Sequence, residues 1–326
     1  MRATLLGGNL TLYIILGIVA FLLVGFVVSY AVVNAIMYNK FFYRQKDGWM
    51  TAHALEDAHY DCCREEILHA AEEVGKLPYQ TVTCTSSDGL TLSAQLHSIG
   101  SEKLVVFFHG VHAVPLNNFG VLAKDFIEDG YDVMFVEQSA HWNSQGKRIS
   151  YGNTEGDDVL RWLERLADYP AKEIVLCGTS MGATAIMLAS DKISDPRVKA
   201  LISDCGFVSL DELKGSLLSS RHVPLWIVGA AFVCGKRFAK AKPALSAADS
   251  LARTKIPVIF LHGREDDVVQ HEQSERCYEA CASRKKIILV QGAGHATSTI
   301  IGGAAVRKEI LNFVNGKGVE KWLTDL

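Results

Sequence analysis

No internal repeat and no low-complexity tract interrupts this chain of 326 residues, which excludes solenoid and array architectures. Net charge is also scarce: 33 Lys and Arg stand against 36 Asp and Glu, a balance of −3. Nothing therefore indicates a nucleic-acid partner. Cysteine occurs eight times, but without the dense spacing of a disulfide scaffold. Cys84, Cys177 and Cys205 lie in apolar strand-like runs, where cysteine acts as a small hydrophobe. Cys277 and Cys281, four apart on a predicted helix, have the spacing of two metal ligands. No second pair accompanies them, so no metal site is expected. No cofactor or nucleotide motif occurs, and nothing sets an oligomeric state.

The most concentrated absence is of Asp, Glu, Lys and Arg between Leu10 and Tyr38. About 20 apolar residues cross the hydrocarbon core of a bilayer, and this run exceeds that. A secretory signal peptide is the rival reading, but its apolar part is usually about 7–15 residues and ends in a small-x-small cleavage site. Asn34-Ala35-Ile36-Met37 makes a poor one. A buried core helix is disfavoured, because the run is apolar on every face. Residues 1–46 are thus expected to be a single-pass N-terminal membrane anchor with its flanks. Lys40, Arg44 and Lys46 follow the run, while Arg2 and the α-amino group precede it. That margin of charge leans towards a cytoplasmic C-terminal part and leaves the side open.

Beyond the anchor the apolar pattern changes. Residues 47–78 read as an amphipathic helical connector, with one helix over 51–76. The anchor is expected to supply location rather than chemistry, so a chain beginning near Asp47 should be soluble and active. From residue 79 to 326 short apolar runs alternate with helical patterns. Runs at 104–108, 132–136, 173–177, 200–203, 258–261 and 287–290 suit buried parallel strands. The expected fold is α/β, a mostly parallel sheet with helices on both faces. Residues 207–249 are too long for a simple crossover and read as an inserted lid, rich in Leu217, Leu218, Leu225, Trp226, Ile227 and Phe232. Trp226 is expected either to line a substrate pocket or to form lid core.

Gly178-Thr179-Ser180-Met181-Gly182 is a G-x-S-x-G motif that follows a strand (EIVLC) and precedes a helix (MGATAIMLAS). In that context the serine sits on a sharp turn above the sheet, and the small flanking residues let strand and helix pass closely. A serine hydroxyl needs a base to take its proton and a third group to hold that base. With Ser180 as nucleophile, the chain order serine, acid, histidine places the acid in 261–269, where Glu265, Asp266 and Asp267 adjoin, and the base at His295 in a Gly-rich loop. Asp204, after the preceding strand, is the reserve acid. Two backbone N–H groups are needed for an oxyanion, and Val111 and Met181 are the candidates. His109 and His262 are expected to bond to backbone, and His53, His59 and His69 to be solvated.

Together FFHG, CGTSMGA, ISDCGFVS, FLHGREDDVV and GAGHA resemble the α/β-hydrolase superfamily over about residues 79–315. Within it the chain is similar to membrane-tethered or secreted bacterial serine hydrolases of the serine aminopeptidase S33/lysophospholipase-like branch. The resemblance implies Asp266, third after the Gly of the LHGxxDxxV pattern, as the acid and His295 as the base. One stretch departs. Relatives often carry D-x-R-G-H-G-x-S after the fourth strand, where this chain reads Glu137-Gln138-Ser139-Ala140-His141-Trp142-Asn143-Ser144. Substrate contacts made there cannot be transferred. The expected activity is hydrolysis of a carboxylic ester through an acyl-enzyme. A peptidase, a thioesterase or acyltransferase, and an inert membrane-tethered binding module are the alternatives.

Overall fold

The computed structural model describes residues 2–53, 55–220, 225–238, 245–317 and 324–325. Its first element, α1 (Arg2–Phe42), runs unbroken through the charge-free stretch. The part from Leu10 is long and apolar enough to cross a membrane. Side chains from Leu10 to Val28 are exposed on every face, which water would not tolerate and lipid would.

The expected helix over 51–76 is broken. The chain forms α2 (Asp47–His53), a single 3-10 turn (Ala58–Tyr60) and α3 (Arg64–Gly75). The cause is tertiary rather than local. Asp57 is extended, with φ −65° and ψ 139°, and the chain turns inward so that His59 lies against Gly294. A Cβ on Gly294 would stand 2.8 Å from that of His59. His59 is thus packed rather than solvated. The α3 segment keeps its amphipathic pattern, burying Ile67, Ala70, Ala71 and Val74.

Two strands, β1 (Gln80–Thr85) and β2 (Thr91–His97), form an antiparallel hairpin. Then β3 (Lys103–Phe108), α4 (Pro115–Glu128), β4 (Asp132–Glu137), α5 (Asn153–Arg165), β5 (Glu173–Thr179), α6 (Met181–Ala189) and β6 (Val198–Asp204) alternate. Three helices follow, α7 (Leu210–Ser220), α8 (Leu225–Phe238) and α9 (Ala247–Leu251). The chain returns to the sheet as β7 (Val258–Gly263), α10 (Glu272–Ala280), β8 (Lys285–Val290), α11 (Ser298–Ile301), α12 (Gly303–Val314) and a two-residue β9 (Thr324–Asp325). Strand order is β1-β2-β4-β3-β5-β6-β7-β8-β9, parallel from β4 onward and antiparallel at β1 and β2.

Alternation along a strand supplies two cores. Leu104, Val106 and Phe108 join Trp162, Leu188 and Leu251 on one face. Val105 and Phe107 join Phe119, Phe126 and Phe313 on the other. Both faces are covered by helices, so the central strands are apolar at nearly every position. This architecture gathers the loops beyond the carboxyl ends of β3, β5, β6, β7 and β8 at one edge of the sheet.

The insert after β6 carries α7 and α8. Residues 221–224 and 239–244, and the side chains of Leu217, Leu218 and Leu225, lie outside the described part. The α8 helix packs along the last turns of α1. Asn34 Nδ2 donates to the Ile227 carbonyl at 3.0 Å, and Asn34 Oδ1 accepts the Ala231 N–H at 2.8 Å. One amide thus bridges the two backbone groups that an i→i+4 helical bond would join. Gly235 makes room for Phe42: a Cβ there would lie 2.3 Å from the ring. Phe42 is fully buried, edge-on to Phe232 at 5.5 Å and to Tyr151 at 5.4 Å.

The last turn of α1 is therefore core, in one cluster with Met181, Leu210 and Val269. This corrects the expectation that the anchor supplies location alone. A chain beginning at Asp47 loses Phe42, and deleting a buried phenylalanine costs about 3–5 kcal/mol. Its melting temperature should fall by about 10 °C relative to a chain beginning at Tyr30. Equal melting curves would show that the α1 packing contributes nothing. The expectation for Trp226 also fails: it is 62% exposed and belongs neither to the pocket wall nor to the core.

Candidate active site

Ser180 stands between β5 and α6 with φ 52° and ψ −114°. A non-glycine residue at positive φ is strained by about 1–3 kcal/mol and persists only where its surroundings over-determine it. Here they do. A Cβ on Gly182 would fall 1.9 Å from the Phe108 carbonyl oxygen, and one on Gly178 would fall 2.4 Å from the Gly182 carbonyl carbon. The two motif glycines let α6 start hard against the ends of β3 and β5. The Ser180 N–H donates to the Asp204 carbonyl at 2.8 Å, fixing the turn to β6.

The loops after β7 and β8 bring the other two groups to this serine. His295 Nε2 lies 3.0 Å from Ser180 Oγ, and His295 Nδ1 lies 2.7 Å from Asp266 Oδ2. Asp266 Oδ1 accepts the N–H groups of Val268 and Val269 at 2.9 and 2.8 Å. Its Oδ2 also faces His262 Nε2 at 3.1 Å. Four donors thus saturate the carboxylate. Asp267, by contrast, is exposed. Asp204 is buried, with Oδ1 unpartnered among the described residues, and burial pushes its carboxyl up to about 6.

Burial opposes charge on both members of the His295–Asp266 pair. Their mutual attraction and hydrogen bonds outweigh it. The imidazole is held well above its ordinary value, and the Asp266 carboxyl well below the usual range.

His262 extends the chain one step further than sequence reasoning reached. Its Nε2 faces two acceptors, Asp266 Oδ2 and the Val269 carbonyl at 2.8 Å, so that nitrogen carries the proton. Its Nδ1 then accepts from the Ser274 hydroxyl at 2.7 Å. The expected backbone bond is present, and the carboxylate bond is additional. Only the fourfold spacing from Asp266 hinted at it. Cys205 is a further neighbour: donor atoms of Cys205, Asp266 and His295 lie within 4.8 Å of one another. An ion there would have to displace the hydrogen bonds that join Asp266 to His295.

Val111 and Met181 both border the pocket at Ser180. On either side of Val111 the N–H groups are taken: Gly110 donates to Asn118 Oδ1 and His112 to His141 Nε2, each at 3.0 Å. The N–H groups of Val111 and Met181 have no acceptor among the described residues. The divergent stretch after β4 buttresses this loop. Besides His141, Trp142 Nε1 donates to the Ala113 carbonyl at 2.9 Å. Ala140 and Trp142, at the two glycine places of the D-x-R-G-H-G-x-S pattern, hold φ 66° and 46°, left-handed backbone that favours glycine. The stretch does not line the pocket.

The pocket has a volume of about 280 Å³. Besides Ser180 and His295 it is walled by Lys40 and Phe41 from α1, and by Met50, His53 and Tyr60 from the segment before α3. Sequence reasoning had assigned none of these to the site.

A family model described as serine aminopeptidase, S33 matches residues 100–246, a span that contains Ser180. The uncharacterized protein YqkD of Bacillus subtilis is 28% identical over 221 residues, 66% of this chain and 72% of that relative. The uncharacterized membrane protein YNL320W of Saccharomyces cerevisiae is 24% identical over 230 residues, 69% of this chain and 76% of its own length. Among solved structures, an esterase of Pyrococcus furiosus superposes with a TM-score of 0.61 at 22% identity, covering 75% of this chain and 93% of that one. With this sheet order, this elbow and these likenesses, the chain has the α/β-hydrolase fold, and its residues 100–246 match the serine aminopeptidase S33 model.

Proposed function

We propose that this hydrolase cleaves carboxylic esters through an acyl-enzyme on Ser180, held at a membrane by α1. The observation that carries the reading is the continuous hydrogen-bonded row Ser180–His295–Asp266. His295 Nε2 takes the Ser180 proton as Oγ attacks the ester carbonyl carbon. The carbonyl oxygen becomes an oxyanion that the Val111 and Met181 N–H groups receive. Asp266 stabilises the imidazolium without taking its proton. As the tetrahedral centre collapses, the ester C–O bond breaks and His295 returns the proton to the departing alcohol. Water, deprotonated by the same histidine, then releases the acid and restores Ser180. Residues 79–326 form the catalytic unit in this reading, and the insert after β6 contributes Leu213 to the pocket wall.

Labelling with a fluorophosphonate tests the activated serine, and parallel assays with p-nitrophenyl butyrate and an aminoacyl-p-nitroanilide test the bond cleaved. The family model's name makes the amide the competing substrate. Anilide turnover exceeding ester turnover would replace the ester reading by a peptidase one.

The pH dependence comes from the His295–Asp266 pair. The base works only when neutral, and Asp266 holds His295 above its ordinary value. The acid limb of kcat/KM should therefore lie above pH ~6.5, the unperturbed imidazole value. In Asp266→Asn the negative charge is gone, and the limb should move to lower pH as residual activity falls. A limb that stays in place would separate the ionisation from His295.

A further inference from the structure

We infer that the substrate is an ester resident in the bilayer, handed to Ser180 from the membrane in which α1 sits. The inference rests on the ester-hydrolase reading and adds the substrate's physical state and route. Three observations meet in it. First, the pocket is walled in part by the membrane helix itself, through Lys40 and Phe41. Second, the last exposed large apolar side chain on α1 is Ile36. From Ile36 to Lys40 and Phe41 the helix rises only about 6–8 Å at 1.5 Å per residue. The headgroup layer of one leaflet is about 5–8 Å deep. The pocket wall thus lies at the outer side of the headgroup layer, so an acyl amphiphile need rise by no more than about that depth to bring its ester carbonyl to Ser180, with its chain trailing along α1.

Third, the helix beside the pocket shares this placement. Asn34 ties α8 to α1 at Ile227 and Ala231. Trp226 and Val233, 62% and 66% exposed, are two helical turns apart on one face of α8. Trp226 adjoins the Asn34 level, within the exposed apolar band of α1, while Val233 adjoins Phe232 at the level of Phe41 and Phe42. The exposed tryptophan continues the lipid-facing surface of α1, the valine extends it towards the pocket, and tryptophan favours the bilayer interface. A soluble ester could reach Ser180 from water. It would not need a pocket built from the end of a membrane helix.

The test uses the full chain reconstituted into phosphatidylcholine vesicles, with dioleoylglycerol as the slowly exchanging ester. The ester is placed either in the same vesicles as the protein or in separate protein-free vesicles mixed with them. Water-soluble p-nitrophenyl butyrate serves as the reference in both arrangements. Same-bilayer hydrolysis should exceed separate-vesicle hydrolysis at least tenfold, with equal butyrate turnover. A double variant, Trp226→Glu with Val233→Glu, should lower same-bilayer turnover severalfold and leave butyrate turnover unchanged. Equal rates from the two vesicle arrangements overturn the inference. Butyrate turnover with no dioleoylglycerol cleavage in either arrangement also overturns it, while the ester reading stands. Loss of all three activities together with absent fluorophosphonate labelling removes both.

Discussion

Replacing Ser180 by alanine is expected to lower kcat for p-nitrophenyl butyrate by about 10⁴–10⁶, and to abolish fluorophosphonate labelling, because the members of such a constellation act as a unit. Alanine removes one oxygen from a site whose backbone is set by Gly178, Gly182 and the Ser180–Asp204 backbone bond. The fold should survive, so an unchanged circular-dichroism spectrum is part of the expected result. The variant should even melt no lower than the parent. Retention of near-normal turnover by Ser180→Ala would assign the nucleophile elsewhere and dissolve the proposed mechanism.

The second large effect is expected at Asp266. Asparagine there keeps the shape but loses the charge, and its amide NH₂ cannot accept the protons that Oδ1 or Oδ2 now receives from four donors. His295 would be held in the wrong tautomer and its imidazolium left without a counter-charge. A loss of about 10³–10⁴ in kcat is the magnitude expected from such a substitution. Asp267→Asn, at an exposed position, should stay within about twofold, since surface changes away from special features are worth about 0.5 kcal/mol. Asp204→Asn is the more searching control. Its carboxyl is buried behind the row, yet His295 Nδ1 bonds to Asp266. A loss within about tenfold is expected there, in keeping with a group that positions neighbours. A greater loss at Asp204 or Asp267 than at Asp266 would move the acid.

Which of these groups could be read from the sequence depended on how local their determinants are. The elbow is spelled within five residues, because the steric demand falls on Gly178 and Gly182 on either side of the serine. The alternating strands were readable for a similar reason: burial on both faces makes each strand apolar over a continuous run. The acidic loop at 261–269 and His295 were placed by their order after successive strands, and the resemblance to the LHGxxDxxV pattern singled out Asp266 within that loop. His262 was harder, since its bond to Asp266 depends on how the β7 loop doubles back, and sequence spacing shows that poorly. The break before α3 was invisible for the opposite reason. Apolar periodicity through 51–76 satisfied a helix, and it carries no sign that His59 packs against the distant Gly294. The pocket wall from α1 was hidden by chemistry. Phe41 and Phe42 close an apolar run, and the letters do not say whether a phenylalanine faces lipid, core or substrate.

The Asn34 bridge to α8 has a consequence for biosynthesis. Asn34 and Ala231 are 197 residues apart. At about 5–20 residues per second, some 10–40 s separate their emergence from the ribosome. During that interval Asn34 has no α8 backbone to bridge and Phe42 no Gly235 to pack beneath. A segment made well before α8 thus waits for its partners until α8 emerges. A chain stalled before residue 231 would leave the Asn34 amide and the Phe42 ring without these partners.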